Sequence, residues 1–303
     1  MRRGARPRAV AVAVLVALTL GGCGVAIAGD GDVSGDWAVL PEAKVPVPAN
    51  NVCRDGSDPN ADWDLALFEA QPMACTTKHA SETFYVGTIT DARTVAASEA
   101  PGAGEPAFKA IYQTCVKKAE EFLGGDFHRG RVAVVPVVAN DIQWGAGARF
   151  YRCELLEILA NQKIVKRTSS ARDGLRGKRP LAIGCANNKV DGSDNITSFV
   201  WISCSKPHQL EFTGIYTHKD GKMPSESTLL KNASSGCLGV GAKYTGHSVS
   251  QMKSTGGFTW VYSGFDDLET RWNMGDRSRR CYLGPYPQTK RTGSIKGKLP
   301  SQW

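Results

Sequence analysis

The sequence predicts an α+β protein of two tandem homologous, disulfide-stabilised domains, each a small antiparallel sheet covered by one main helix. Three observations carry that expectation. A stretch spelled Trp, two residues, Gly, one residue, Arg, three residues, Cys runs from Trp144 to Cys153 and recurs from Trp272 to Cys281. A second stretch, Cys, three residues, His, two residues, Glu, runs from Cys75 to Glu82 and recurs from Cys204 to Glu211. Both recur after about 130 residues, the period of an internal duplication. The cysteines follow the same order, with Cys53, Cys75, Cys115 and Cys153 in one half and Cys185, Cys204, Cys237 and Cys281 in the other.

Each copy reads strand, helix, strand, strand. The β-branched and aromatic runs Phe84 to Thr90 and Phe212 to His218 favour strands. A helix follows in each copy. In the first, Phe108, Ile111, Tyr112, Cys115, Ala119 and Phe122 recur at helical spacing, with Pro106 suited to the first turn and Gly124-Gly125 to the stop. In the second, Pro224 opens the pattern, and Leu229, Leu230, Ala233, Cys237 and Val240 form the stripe. Residues 131–139 and 256–264 read as core strands, each followed by a loop or turn carrying the Trp/Gly/Arg/Cys motif. The predicted bounds are 51–165 and 181–303 for the domains and 166–180, charged and without an apolar face, for a linker. Leu175 to Pro180 and Ile295 to Pro300 match in pattern as tails of the two copies.

The ends and the composition bound the address. Residues 1–22 read as a lipoprotein signal peptide: four arginines precede a run from Ala9 to Leu20, about 12 residues against the roughly 20 of a spanning helix. Leu20-Gly21-Gly22-Cys23 has the form of a lipobox, so Cys23 is the expected lipidation site, carrying palmitate-type acyl chains that hold the protein on a bilayer. Residues 23–50, rich in Gly, Ala, Val and Pro, read as a flexible tether. The chain carries 37 Lys+Arg against 29 Asp+Glu, a formal charge of +8, and losing Arg2, Arg3, Arg6 and Arg8 with the leader halves it. A modest positive charge suits anionic lipids or wall polymers. The expected location, the outer face of the plasma membrane, excludes nucleic acid as a partner.

Eight cysteines beyond Cys23 in an exported chain read as disulfides, and the absence of Cys-x-x-Cys argues against a thioredoxin-like or zinc-knuckle site. Symmetry leaves three pairings per copy. The favoured one joins the inward-facing helical cysteine to that of the last strand, Cys115 with Cys153 and Cys237 with Cys281, leaving Cys53 with Cys75 and Cys185 with Cys204.

The remaining motifs have two readings each. His79 with Glu82, and His208 with Glu211, offer metal half-sites or acid/base pairs. One His and one Glu per copy fall short of the three or four ligands zinc needs, and a structural role anchoring the turn after the cysteine is favoured. Trp144 with Arg149, and Trp272 with Arg277, suit a cation–π grip on an anionic ligand; a local structural role is again favoured, with Asp276 orienting Arg277. His128, His218 and His247 lack counterparts in the other copy and are expected at the surface. The sequence has no Gly-x-Ser-x-Gly, no phosphate loop and no His-Glu-x-x-His, so no catalytic residue, cofactor or metal is assigned.

In sum these motifs resemble the septum formation domain family of actinobacterial membrane proteins and lipoproteins. Its final motif, Trp-x2-Gly-Asp-Arg-x3-Cys, is complete in Trp272, Gly275, Asp276, Arg277 and Cys281; the first copy has Ala148 for the Asp. The family's Gly-Asp-Cys is replaced by Asn51-Val52-Cys53 and Ile183-Gly184-Cys185. The resemblance implies a link to cell division and no enzymatic activity. The expected function is a non-catalytic binding or scaffold protein whose partner is an envelope protein or wall polymer. The alternatives are a binder of an anionic envelope ligand, gripped by Arg149 or Arg277, and a metal-assisted hydrolase using the His/Glu pairs.

Overall fold

The structure is a computed structural model; it describes residues 44–56, 69–191, 196–254, 258–262, 268–285 and 289–303. The expected leader, the Cys23 anchor and the tether as far as residue 43 lie outside the described residues.

The first half supplies β1 (Val52–Arg54), β2 (Ser81–Thr88), α1 (Ala92–Val95), α2 (Pro106–Leu123), β3 (Val132–Val138), α3 (Asp141–Gly145), β4 (Phe150–Ile158) and β5 (Ile164–Val165). The second supplies β6 (Cys185–Val190), β7 (Ile196–Ile202), β8 (Leu210–Thr217), α4 (Glu226–Thr245), α5 (Val249–Ser254), β9 (Phe258–Tyr262), α6 (Leu268–Met274) and β10 (Ser278–Gly284). The protein is therefore α+β, with two antiparallel sheets. Their strand orders are β1-β2-β4-β3, with β5 on β4, and β7-β6-β8-β10-β9. Removing β5 and β7 leaves one order shared by both halves. Even the irregularity repeats: the β2/β4 register skips Phe84, and the β8/β10 register skips Thr213. Each bulge places the following residue opposite the cysteine, Tyr85 facing Cys153 and Gly214 facing Cys281.

The helices follow the sequence signals in the main. α2 begins at Pro106, whose missing N–H falls where a helix has no acceptor, and ends at Gly124 in the left-handed region at φ 76°. Its Ile111, Cys115, Ala119, Phe122 and Leu123 are buried in the first core, where Phe84 meets Phe122 at 5.5 Å. α4 is capped by Ser225, which accepts from the Thr228 amide, so Pro224 lies before the cap and not in the first turn. Leu230, expected on the apolar stripe, is exposed; Gly241 and Ala242 are buried instead, because this helix approaches its sheet through small residues. At Gly236 an added Cβ would stand 2.1 Å from the Tyr216 ring. β3 is an edge strand, which is why it tolerates Pro136.

Residues Lys44–Trp303 form one compact unit. The stretch 166–180, read from the sequence as a linker, is packed into it: Ala171 and Leu175 belong to the first core together with Leu181. A continuous backbone ladder carries the first half into the second, Arg131 donating to Leu181 at 2.8 Å and Ile183 to Arg129 at 2.9 Å. Trp201 of β7 packs against two buried clusters, one containing Leu156 and Ile158 of β4 and the other Phe199 and Tyr282, and its Nε1 donates to the Tyr282 hydroxyl at 2.9 Å, so one indole joins both sheets.

Candidate functional site

The four disulfides are Cys53–Cys75, Cys115–Cys153, Cys185–Cys204 and Cys237–Cys281, with Cα–Cα distances of 5.0, 5.3, 5.0 and 5.2 Å. This is the favoured pairing in both halves. One bond per half pins the helix to the strand at the sheet centre; the other pins β1 or β6 to the turn that precedes the His/Glu motif. In the chain-entropy model each stabilises by roughly 3–4 kcal/mol.

His79 and His208 enter β2 and β8 fully buried. Each bonds its own turn through Nδ1, to the Thr77 carbonyl at 2.7 Å and the Lys206 carbonyl at 2.8 Å. Their backbones bridge to Arg167 and Arg291, which fastens the chain following each sheet onto its first long strand. The glutamates complete the clamp. Glu82 accepts from Ser170 Oγ at 2.6 Å and the Ala171 amide at 2.8 Å; Glu211 accepts from Ser294 Oγ at 2.5 Å, the Ile295 amide at 2.8 Å and the Tyr244 hydroxyl. Burial, then this bond to Glu211, pushes the Tyr244 phenol up to about 12. The clamp aligns Ser170-Ala171 with Ser294-Ile295, so the tails correspond four residues away from the match of Leu175 to Ile295 that their wording suggests.

Cys185, His208 and Glu211 each offer an atom within 4.8 Å of the others, as do Cys53, Cys75 and Glu82. Those sulfurs are spent in disulfides and those carboxylates in accepted hydrogen bonds, which leaves one buried imidazole Nε2 per half, at His79 and at His208. A single nitrogen falls short of a zinc ligand set.

The Trp/Arg motif is a staple between loops. Trp144 and Trp272 donate through Nε1 to the Ala97 and Gly221 carbonyls at 2.9 and 3.0 Å, tying the turn before β4 or β10 to the segment that follows β2 or β8. Arg149 and Arg277 each stack 3.9 Å over their indole and donate back to its carbonyl. Beyond that the copies part. Arg149 also bonds the Val95 and Ala148 carbonyls, whereas Arg277 pairs with Asp220 at 2.7 Å and leaves Nε without a partner. Asp276 does not orient Arg277; it pairs with Arg271, accepts the Ser278 amide at 2.8 Å and reaches His128 of the first half at 3.3 Å.

Of the histidines expected at the surface, His218 is buried and His128 is half-buried. His128 lies between Asp126, 2.7 Å from Nδ1, and Asp276. Burial opposes its charge, but the two carboxylates outweigh that and raise its pKa above the usual 6.5. Asp276 is held well below the usual carboxylate range: its burial works the other way, and Arg271 and then His128 overcome it. His218, 5% exposed, is lowered by burial and by Arg279 and Arg277. Arg279, 3% exposed, is the residue that no sequence motif indicated; burial and then the Arg271 charge bring its guanidinium down to about 10.

Against known families, the model described as septum formation matches residues 57–281. The chain belongs to the septum formation family. One match runs through both halves, as the single compact unit does, and membership connects the chain with cell division. No curated protein and no solved structure matches it.

Proposed function

We propose that this member of the septum formation family is an extracytoplasmic binding or scaffold protein, not an enzyme, held on the outer face of the plasma membrane by acylation at Cys23. The observation that carries the reading is the structural use of the side chains in the repeated motifs. Both Glu carboxylates, both His Nδ1 atoms and both Trp/Arg pairs are engaged in joining loops to sheets. Four disulfides in a chain of this size support an oxidising compartment. The partner on this reading is an envelope protein or wall polymer.

Crosslinking in intact cells, followed by purification of the acylated chain, is the direct test. A discrete adduct with an envelope component, lost in Cys23→Ala because that variant leaves the membrane, is the expected outcome. A wild-type chain found in the soluble fraction would end the anchoring part of the reading. Turnover of a substrate that survives in Glu82→Gln and is lost in Glu211→Gln would end the non-catalytic part.

A further inference from the structure

Arg279 is 3% exposed, yet among the described residues its guanidinium bonds its neighbour's carbonyl, Nη1 donating to Ser278 at 2.7 Å, while Nη2 has no partner. Arg277 Nε and His218 Nε2 are also buried without partners. The three side chains belong to one face of the second sheet. Arg277, Arg279 and Cys281 alternate along the β10 run, and the Cys281 bond to Cys237 marks that face as the one beneath α4. His218 stands across from Arg277, its amide donating to the Arg277 carbonyl at 3.0 Å. Leu283 lies under Gly241, Cys281 under Cys237, and Tyr216, the cross-strand partner of Arg279, under Gly236. Arg279 and Arg277 therefore lie toward the N-terminal half of α4, the positive end of its dipole.

Asp276 attracts the Arg279 charge without bonding it, and a buried guanidinium with donors unmet is costly, the more so beneath a helix N-terminus. The nearby carboxylates do not resolve this. Asp276 reaches Arg279 through its charge alone, its bonds going to Arg271, the Ser278 amide and His128, and Asp220, 89% exposed, pairs with Arg277. Nor does the fold demand the charge. At the equivalent places the first half has Tyr151 for Arg279 and Ile89 for His218, and its Arg149 is satisfied by carbonyls.

We propose that Arg279, Arg277 and His218 form a binding site for a phosphate-type oxyanion under the N-terminal half of α4 in the second sheet. It rests on the reading of the protein as a binding module and names the ligand chemistry. Planar N–H donors of buried arginines suit tetrahedral oxyanions. The Asp220 carboxylate, brought by an exposed loop onto Arg277, competes for that guanidinium.

The test is the melting temperature of the full chain in potassium phosphate against potassium chloride at matched pH and ionic strength. A ligand of the folded state raises it with the logarithm of concentration. Arg279→Tyr, which installs the residue the first half already uses, is expected to weaken phosphate by at least about tenfold, and Asp220→Asn to tighten it severalfold. No rise over chloride, or a rise unchanged by Arg279→Tyr, overturns the site. Should that variant not fold, the Asp220→Asn change on an exposed loop still decides, since an unaltered affinity overturns it too. Dihexanoyl phosphatidylglycerol in place of phosphate separates the sources: tighter binding than phosphate assigns a lipid headgroup, weaker binding assigns the free ion, and the site stands in both. A failed phosphate titration leaves the crosslinking test of the scaffold reading intact.

Discussion

Glu211 shows how much a single carboxylate can hold. Three donors converge on it, from α4, from a serine and from a backbone amide; Ile295 is buried, Tyr244 half-buried and Ser294 exposed. In Glu211→Ala the Ile295 amide and the Tyr244 hydroxyl lose their acceptor, so unfolding stability should fall by at least about 2 kcal/mol, since each buried unmet donor costs about 1–3 kcal/mol. Glu82 receives two donors, and Glu82→Ala should cost somewhat less. Urea midpoints at constant slope check both. The sequence exposed these residues through repetition, because a clamp copied with its fold keeps its spacing. It concealed Arg279 and His218, because they occupy positions that the first half fills with Tyr151 and Ile89. Repetition shows what both halves need; it is silent on what one half adds.

The strand, helix, strand, strand order was legible because period and turn residues are local signals, as at Pro106 and Gly124. β1, β5 and β6 were not, since β1 and β5 are short and β6 is polar, reading Cys-Ala-Asn-Asn-Lys-Val, and β1 is fixed by pairing with the distant β2. The segment 166–180 looked like a linker because its apolar residues are sparse, yet Ala171 and Leu175 are placed in the core by Glu82 and its neighbours. Close packing of α4 on its sheet gives a prediction for the whole element. Gly236→Ala drives a methyl into the Tyr216 ring and should cost about 1–3 kcal/mol, while Gly239→Ala, with open space at its Cβ, should be neutral or stabilising. Thermal melts of the two variants distinguish these outcomes.

At the scale of the whole molecule, the halves are joined by a latch that titrates. His128 of the first half is faced by Asp126 and Asp276, with Arg271 sharing Asp276, Arg129 beside Asp126 and Arg280 on the His128 carbonyl. Its folded pKa lies above 6.5, so the stabilisation is complete below that value and is lost as pH rises through the folded value. Asp276 has the opposite sign: its lowered pKa stabilises above 3.8 and fails only as pH falls below it. The urea midpoint should therefore decline as pH rises above 6.5, and His128→Gln should flatten that decline. An unchanged slope in the variant would place the titration elsewhere.

Pro136 in the edge strand β3 has a consequence for how such molecules gather. A neighbour arriving at that edge meets a backbone with one hydrogen-bond donor missing, so sheet-to-sheet splicing between molecules is discouraged there. Contacts between molecules along that edge would accordingly be made by side chains, and would disperse in salt as amyloid-like ribbons do not.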